Sequence, residues 1–180
     1  SHALGLRHRH RNLLPREPVS LYRYVELLVQ IALLRKYRFR RVLETGPGTY
    51  PVFGVWPRDS YERGTIVDYN EKVLRYCQKV LAGKEIESLQ LDFDGAGVLS
   101  ATGRKCDLIV SNGVVEHLKN DGPHVADLYG ALDEGGVLMC VTVMHEAFFN
   151  DWDRAVGHYR RYSMESLLAL FGEFSEVQVI

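Results

Sequence analysis

The chain reads as an α/β protein with a doubly wound, mostly parallel sheet and helices on both faces. Three observations predict it. Short apolar runs of strand length alternate with stretches whose apolar residues recur at helical spacing. The run at 137–143 is apolar but for Thr142, as a strand buried on both faces is nearly continuous in apolar residues. The first such run closes on glycines, and ligands of these sheets bind at the carboxyl ends of the strands.

Each element has its own signature. From Ser20 the pattern is helical: Ser20 is placed to cap after Pro18, and Leu21, Tyr24, Val25, Leu28 and Ala32 with Leu27, Ile31 and Leu34 form a wide apolar face. The cations at 35–41 suit the negative end of that helix. Arg41-Val-Leu-Glu-Thr45, closed by Gly46-Pro47-Gly48, is a buried strand and a tight turn. Residues 65–68 form a second strand, and 70–81 a helix with Asn70 as its cap and Val73, Leu74, Cys77, Val80 and Leu81 inward. Strands three and four are 86–91 and 107–111. A helix over 123–132 ends at Gly135-Gly136, and 137–143 is strand five. A helix over 164–171 and a sixth strand over 176–180 complete the order.

Composition narrows the class. A chain of 180 residues suits one domain that buries about 70% of its unfolded surface. Cys77, Cys106 and Cys140 lie far apart with no CxxC, which argues against a disulfide framework and for a reducing compartment. The longest apolar stretch, 27–34, is interrupted by Gln30 and falls short of the roughly 20 residues a membrane span needs. The first 26 residues are polar and Arg-rich, unlike a signal peptide. The expected location is cytoplasmic, with no membrane partner.

Charge divides the chain in two. Residues 1–41 carry ten Arg/Lys against two acids, and residues 42–180 carry twelve basic against twenty-one acidic residues. The first part reads as a basic arm and covering helix, the second as the ligand-binding domain. Arg7 to Arg11, interleaved with His8 and His10, suits a solvated tail better than a phosphate-binding one, and the acidic body disfavours nucleic acid.

The chemistry-bearing residues begin in the first turn. Gly46 and Gly48, spaced as GxG, let a ligand approach the backbone. The GxGxxG of a dinucleotide site is missing, because its third position is Pro51. Asp68 stands twenty-two residues after Gly46, where a carboxylate can accept both hydroxyls of a ribose. Together they describe a ligand with a ribose and no pyrophosphate.

Glu44-x-Gly46-x-Gly48, the acid at the end of strand two, Leu91-Asp92-Phe93, the stretch from Asp107 to Leu118 and Leu132-Asp-Glu-Gly135-Gly136-Val-Leu138 resemble, in order and spacing, the class I S-adenosylmethionine-dependent methyltransferases with their Rossmann-like sheet. The resemblance runs from about residue 41 to 180. It implies S-adenosylmethionine (SAM) as cofactor, with Glu44, Gly46, Gly48 and Thr49 at the methionine end. Asp68 would hold the ribose hydroxyls, Tyr69 would pack on the adenine, and Asp92 and Phe93 would meet its edge. Asn112 and Gly113 would sit under the sulfonium. Tyr50 stands where this family often has a third glycine, so the start of the next helix is left open. The family's sheet normally ends with an antiparallel strand seven, which is expected to be missing here: either about 20–30 further residues would carry it, or the sheet ends differently. Strand five would then keep an unpaired edge, and a homodimer could form there.

Asp153-Arg-Ala-Val-Gly157-His158-Tyr-Arg160-Arg161-Tyr162 resembles a D-x-x-x-G-H-x-R-R-Y stretch of a bacterial subgroup, lying over the substrate side of the pocket. Extended, it would put His158, Arg160 and Tyr162 on one side and Arg161 on the other. Glu116, Arg160 and Tyr162 are therefore the expected substrate-side residues, suited to an anionic or hydroxylated small molecule. His117, His145 and His158 are the candidate bases, since His titrates near neutral pH. Glu116-His117 also matches half of the ExxEH metal cluster of small-RNA ribose methyltransferases. Gly113 occupies its first position, and even with His145 the set is a ligand short, so no metal is assigned. The expected activity is methyl transfer to a small molecule, at oxygen because histidines gather after strands four and five. The alternatives are an RNA-directed methyltransferase using the basic arm, a nucleotide-binding oxidoreductase, and a non-catalytic module of the same fold.

Overall fold

The computed structural model describes residues 21–95 and 97–180, so the basic arm and the Ser20 cap lie outside the described residues. Five strands, β1 (Phe39–Thr45), β2 (Tyr61–Asp68), β3 (Ile86–Gln90), β4 (Cys106–Asn112) and β5 (Leu132–Val141), form one sheet in the order β3-β2-β1-β4-β5. Every pairing is parallel. The helices are α1 (Leu21–Leu34), α2 (Val52–Val55), α3 (Glu71–Val80), α4 (Val98–Thr102), α5 (Asp121–Gly130), α6 (Asp151–Ala155) and α7 (Met164–Leu170). No helix among the described residues is long and apolar enough to cross a membrane.

Period-two alternation of the central strands builds two cores. Val42, Ile66, Leu108 and Val110 face a cluster with Phe53, Trp56 and Leu74. Leu43, Val67 and Ile109 face the opposite one, with Val98 and Leu128. Strands apolar on both faces need helices on both, which is why this pattern gives a covered parallel sheet.

Several expectations change in detail. β2 starts at Tyr61 rather than 65, because the Tyr61 ring packs at 4.9 Å from Phe53 and 5.6 Å from Trp56 and draws Glu62 and Arg63 into the ladder. Gly135-Gly136 does not end a helix. Both lie inside β5, where the register slips between Cys106 and Leu108. The sixth strand expected over 176–180 does not form: that segment pairs with nothing among the described residues, and Val177, Val179 and Ile180 stay exposed. Strand composition without a ladder leaves backbone groups to water.

The chain runs outward from β1 through β2 to β3, then returns to β4 on the other side of β1. The crevice of such a sheet opens at that reversal, outside the carboxyl ends of β1 and β4. Register sets Glu44 beside Val110 and Ile66, and Thr45 beside Ser111 and Val67.

Candidate active site

The turn after β1 is pressed against the end of β4. Gly46 has φ +64°, and a Cβ there would lie 2.5 Å from the Asn112 carbonyl oxygen and 2.6 Å from Val114 Cγ2. Only glycine fits. Gly48, at φ +55°, is the opposite case: a Cβ there would meet nothing within 4 Å. It borders open space. The Cys77 thiol donates to the Gly48 carbonyl at 3.4 Å and ties the loop to α3; burial pushes that thiol up to about 12 and keeps it protonated. Thr49 is exposed at the rim. The helix start left open by Tyr50 and Pro51 is the short α2, capped by Pro51, whose Val52 N–H donates to both Glu44 oxygens at 2.9 Å.

Glu44 is fully buried at the centre of a polar chain. Gln30 Nε2 donates to Asn112 Oδ1 at 2.6 Å, and Asn112 Nδ2 donates to Glu44 Oε1 at 3.0 Å. Burial raises the Glu44 carboxyl from 4.5 to about 7, against the Val52 amide, Arg23, the Phe53 amide and Asn112. Gln30, 2% exposed, is a site residue that the sequence reading missed. The signal was present: it is the polar residue inside the apolar run 27–34 of α1. Its Oε1 has no partner among the described residues. Arg23, also on α1, pairs with Glu26 at 3.0 Å and donates to the Tyr50 carbonyl at 3.3 Å.

One strand over, Asp68 is buried, and burial raises its carboxyl above the usual range, against the bond from the Asn70 N–H to Oδ1 at 2.8 Å. Asn70 itself caps α3, accepting from the Lys72 N–H at 3.0 Å, so Asp68 is not needed as a cap. The Tyr69 ring is exposed. Asp92 is exposed and its Oδ1 accepts the Asp94 N–H at 3.1 Å, closing a turn, while the Phe93 ring lies tilted at 60° against His124, 5.0 Å away. Burial lowers His124 to about 4, against Asp127 and Asp94, so its ring is neutral near pH 7.

Beyond Gly113 lies a second group. Glu116, His117 and His158 each offer a ligand-capable atom, and these atoms lie within 4.8 Å of one another. A Cβ on Gly113 would sit 3.4 Å from Glu116 Oε1, so the group adjoins the β4 end. Each member is held from behind. Thr142 Oγ1 donates to Glu116 Oε2 at 3.0 Å, His117 Nδ1 meets the Gly157 carbonyl at 3.2 Å, and His158 Nδ1 meets Asp153 Oδ1 at 2.9 Å. The two imidazoles sit edge to face, 4.6 Å apart. Arg161 Nε reaches both Asp153 oxygens at 2.9 Å. Burial pushes Asp153 up, but Arg161, His158 and the Asn150 amide outweigh it and hold the carboxyl at about 2.

The alternation expected over 158–162 does not hold, because the segment is not an extended strand. Arg161 turns to Asp153 together with His158. Arg160 bonds the Leu118 and Lys119 carbonyls at 3.0 and 2.6 Å and pairs with Asp121, whose carboxylate also accepts the Tyr162 hydroxyl at 2.7 Å. Arg160 and Tyr162 thus clasp the segment to the start of α5. His145 stands outside the Glu116 group, in a left-handed conformation (φ +64°), with its ring 5.9 Å from Phe148.

The sequence profile of the methyltransferase domain family matches residues 43–140, more than half of the chain. The chain belongs to that family. The methyltransferase takes SAM as its cofactor. The residues at the β1–β4 crevice fit such a ligand: open space at Gly48, a buried carboxyl at Glu44, an unpartnered acceptor on Gln30 and a buried carboxyl at Asp68. Among solved structures, the YcgJ protein of Bacillus subtilis is similar at TM-score 0.69 and 15% identity, covering 83% of this chain and 67% of that one. The N-methyltransferase NodS of Bradyrhizobium japonicum, complexed with S-adenosylhomocysteine, matches at 0.67 and 21%, covering 94% and 85%. The CurJ carbon methyltransferase matches at 0.64 and 15%, covering 84% and 49%. These likenesses are of fold. A comparison with curated proteins gave no match.

Proposed function

We propose that this methyltransferase methylates a hydroxyl oxygen of a small molecule. The observation that carries the proposal is the group of Glu116, His117 and His158 gathered beside Gly113 at the end of β4. Bound SAM supplies a methyl group already activated on a sulfonium. Glu44, Gly46, Gly48 and Thr49, with Gln30, take its methionine end, and Asp68 its ribose hydroxyls. Tyr69, Asp92 and Phe93 would meet the adenine, and Asn112 and Gly113 would sit under the sulfonium. What remains for the chain is to align an acceptor, exclude water and deal with the acceptor's proton.

A sulfonium does not need a strong base when the acceptor is a neutral amine, whereas a hydroxyl gains most from losing its proton. Two histidines held by a carbonyl and a carboxylate at Nδ1, beside a buried carboxylate, suit that task. Arg160 is matched to Asp121, so the acceptor is read as hydroxylated rather than anionic. NodS and CurJ act at nitrogen and carbon, and the choice of oxygen therefore rests on this group alone.

Incubating the enzyme with methyl-labelled SAM and matched panels of hydroxylated, amine and carbon-acid acceptors tests it. The expected products are methyl ethers. His117→Asn and His158→Asn should each lower kcat by about 100-fold or more while sparing S-adenosylhomocysteine affinity. Exclusive N- or C-methylation would overturn the reading.

A further inference from the structure

We infer that Glu116, His117 and His158 form a binding site for one divalent transition-metal cation. The inference deepens the reading above, but the site itself stands on geometry alone. One carboxylate and two imidazoles converge from two segments about 40 residues apart, with ligand atoms within 4.8 Å of one another. Around a tetrahedral ion, such atoms sit about 3.4 Å apart, so the group must close by little more than an ångström.

The groups behind the three ligands strengthen the argument. A histidine that ligates through one ring nitrogen nearly always presents the other to a carboxylate or a backbone carbonyl. His158 Nδ1 meets Asp153 Oδ1 at 2.9 Å, and His117 Nδ1 meets the Gly157 carbonyl at 3.2 Å. Both acceptors place the proton on Nδ1 and leave the Nε2 lone pair to coordinate. Thr142 orients the Glu116 carboxylate in the same way. Asp153 is held in turn by both contacts from Arg161 Nε, so its orientation does not depend on His158. The Tyr159 N–H donates to the Glu116 carbonyl at 2.8 Å and locks the two ligand-bearing segments together at the backbone.

Two imidazoles with one carboxylate favour zinc, iron, cobalt or manganese over the harder magnesium and calcium. Three protein ligands leave a position open, as catalytic sites do. The group adjoins Gly113, so that position would be available to an acceptor bound on the proposed substrate side. A cation there would occupy the two Nε2 lone pairs and take over from the imidazoles the task of favouring ionisation of an acceptor hydroxyl; its use in this way rests on methyl transfer to oxygen.

The test uses the full chain, stripped with a chelator and titrated with cobalt(II) in the presence of S-adenosylhomocysteine. The expected result is visible d–d absorption saturating at one equivalent per chain, with zinc displacing the cobalt. His158→Ala and Glu116→Gln should abolish saturable binding. Asp153→Asn should weaken it by about 10–100-fold, because Asp153 acts only through His158. His145→Gln should bind cobalt as the parent does. Affinity for S-adenosylhomocysteine, measured by calorimetry, reports whether each variant is folded. Absence of cobalt binding in a chain that binds S-adenosylhomocysteine overturns the metal site and leaves methyl transfer standing. Binding that survives both His158→Ala and Glu116→Gln overturns it equally. Failure of the parent to bind S-adenosylhomocysteine would instead sink the methyltransferase reading, whatever the metal does.

Discussion

The two ends of the crevice are built in different ways. At the cofactor end, Glu44, Asp68 and Asn112 are placed by strand register, and backbone amides do much of the holding. At the acceptor end, residues 116–121 and 153–162 are joined by side chains on loops: Arg160 to the Leu118 and Lys119 carbonyls, Tyr162 to Asp121, His117 to the Gly157 carbonyl. A sheet tolerates little local change without losing its ladder, whereas loop clasps can be rebuilt singly. On the proposed assignment, the cofactor end is therefore the fixed half of this enzyme, and the acceptor end the half in which specificity would be set.

The largest effect should come from Gly46. Alanine there adds a left-handed penalty of about 1–2 kcal/mol and overpacking of about 1–3 kcal/mol against Asn112 and Val114, roughly 3 kcal/mol together. Urea unfolding should show that loss, and S-adenosylhomocysteine affinity should fall with it. Gly48→Ala separates the two effects. Its Cβ meets no protein atom, so stability should drop by only about 1 kcal/mol while ligand affinity still collapses. Parent-like affinity in Gly48→Ala would remove Gly48 from the binding surface.

Glu44 gives the next effect, and its sign is defined. Burial raises its carboxyl from 4.5 in the unfolded chain to about 7 in the folded one. The protonated form is thus favoured by folding: its contribution is complete below about 4.5 and is lost as pH rises through about 7. The full swing is about 3 kcal/mol. Glu44→Gln should flatten the stability of the ligand-free protein between those pH values, relative to the parent. Parallel curves for the two proteins would show that Glu44 is ionised throughout.

The same contrast decides how much could be read from sequence. The GxG turn, Asp68 and the Asn112-Gly113 pair follow strands at short, regular spacings, so pattern alone located them at the strand ends where the structure has them. Gln30 escaped because it reaches Asn112 from 82 residues away, on a helix whose apolar face looked sufficient by itself. At the acceptor end the motif over 153–162 was legible, but its geometry was not. Arg161 was expected to point away from His158, yet one buried carboxylate, Asp153, gathers both. His145 was the third partner that the sequence offered for Glu116-His117, whereas the structure brings His158 there. Only the loop clasp, invisible to periodicity, distinguishes them. Residues 176–180 show the opposite error, where strand composition finds no ladder to join.

The smallest effect is the sharpest test of the two-halves view. Tyr162 is 3% exposed, and its hydroxyl donates to Asp121 at 2.7 Å. Burial lifts the Asp121 carboxyl, but Tyr162 and Arg160 outweigh it and hold it below the usual range. Tyr162→Phe keeps the ring in its apolar cluster with Val115, Val125 and Leu167 and removes only that bond. A hydrogen bond to a charged, partly solvated carboxylate is worth about 1.5 kcal/mol. That is the expected stability loss. Because the bond clasps the acceptor-side loop and touches no strand end, S-adenosylhomocysteine affinity should stay unchanged in calorimetry while KM for the acceptor rises. Equal weakening of both ligands would mean that the two ends are mechanically one, and that acceptor specificity cannot be altered without disturbing the cofactor.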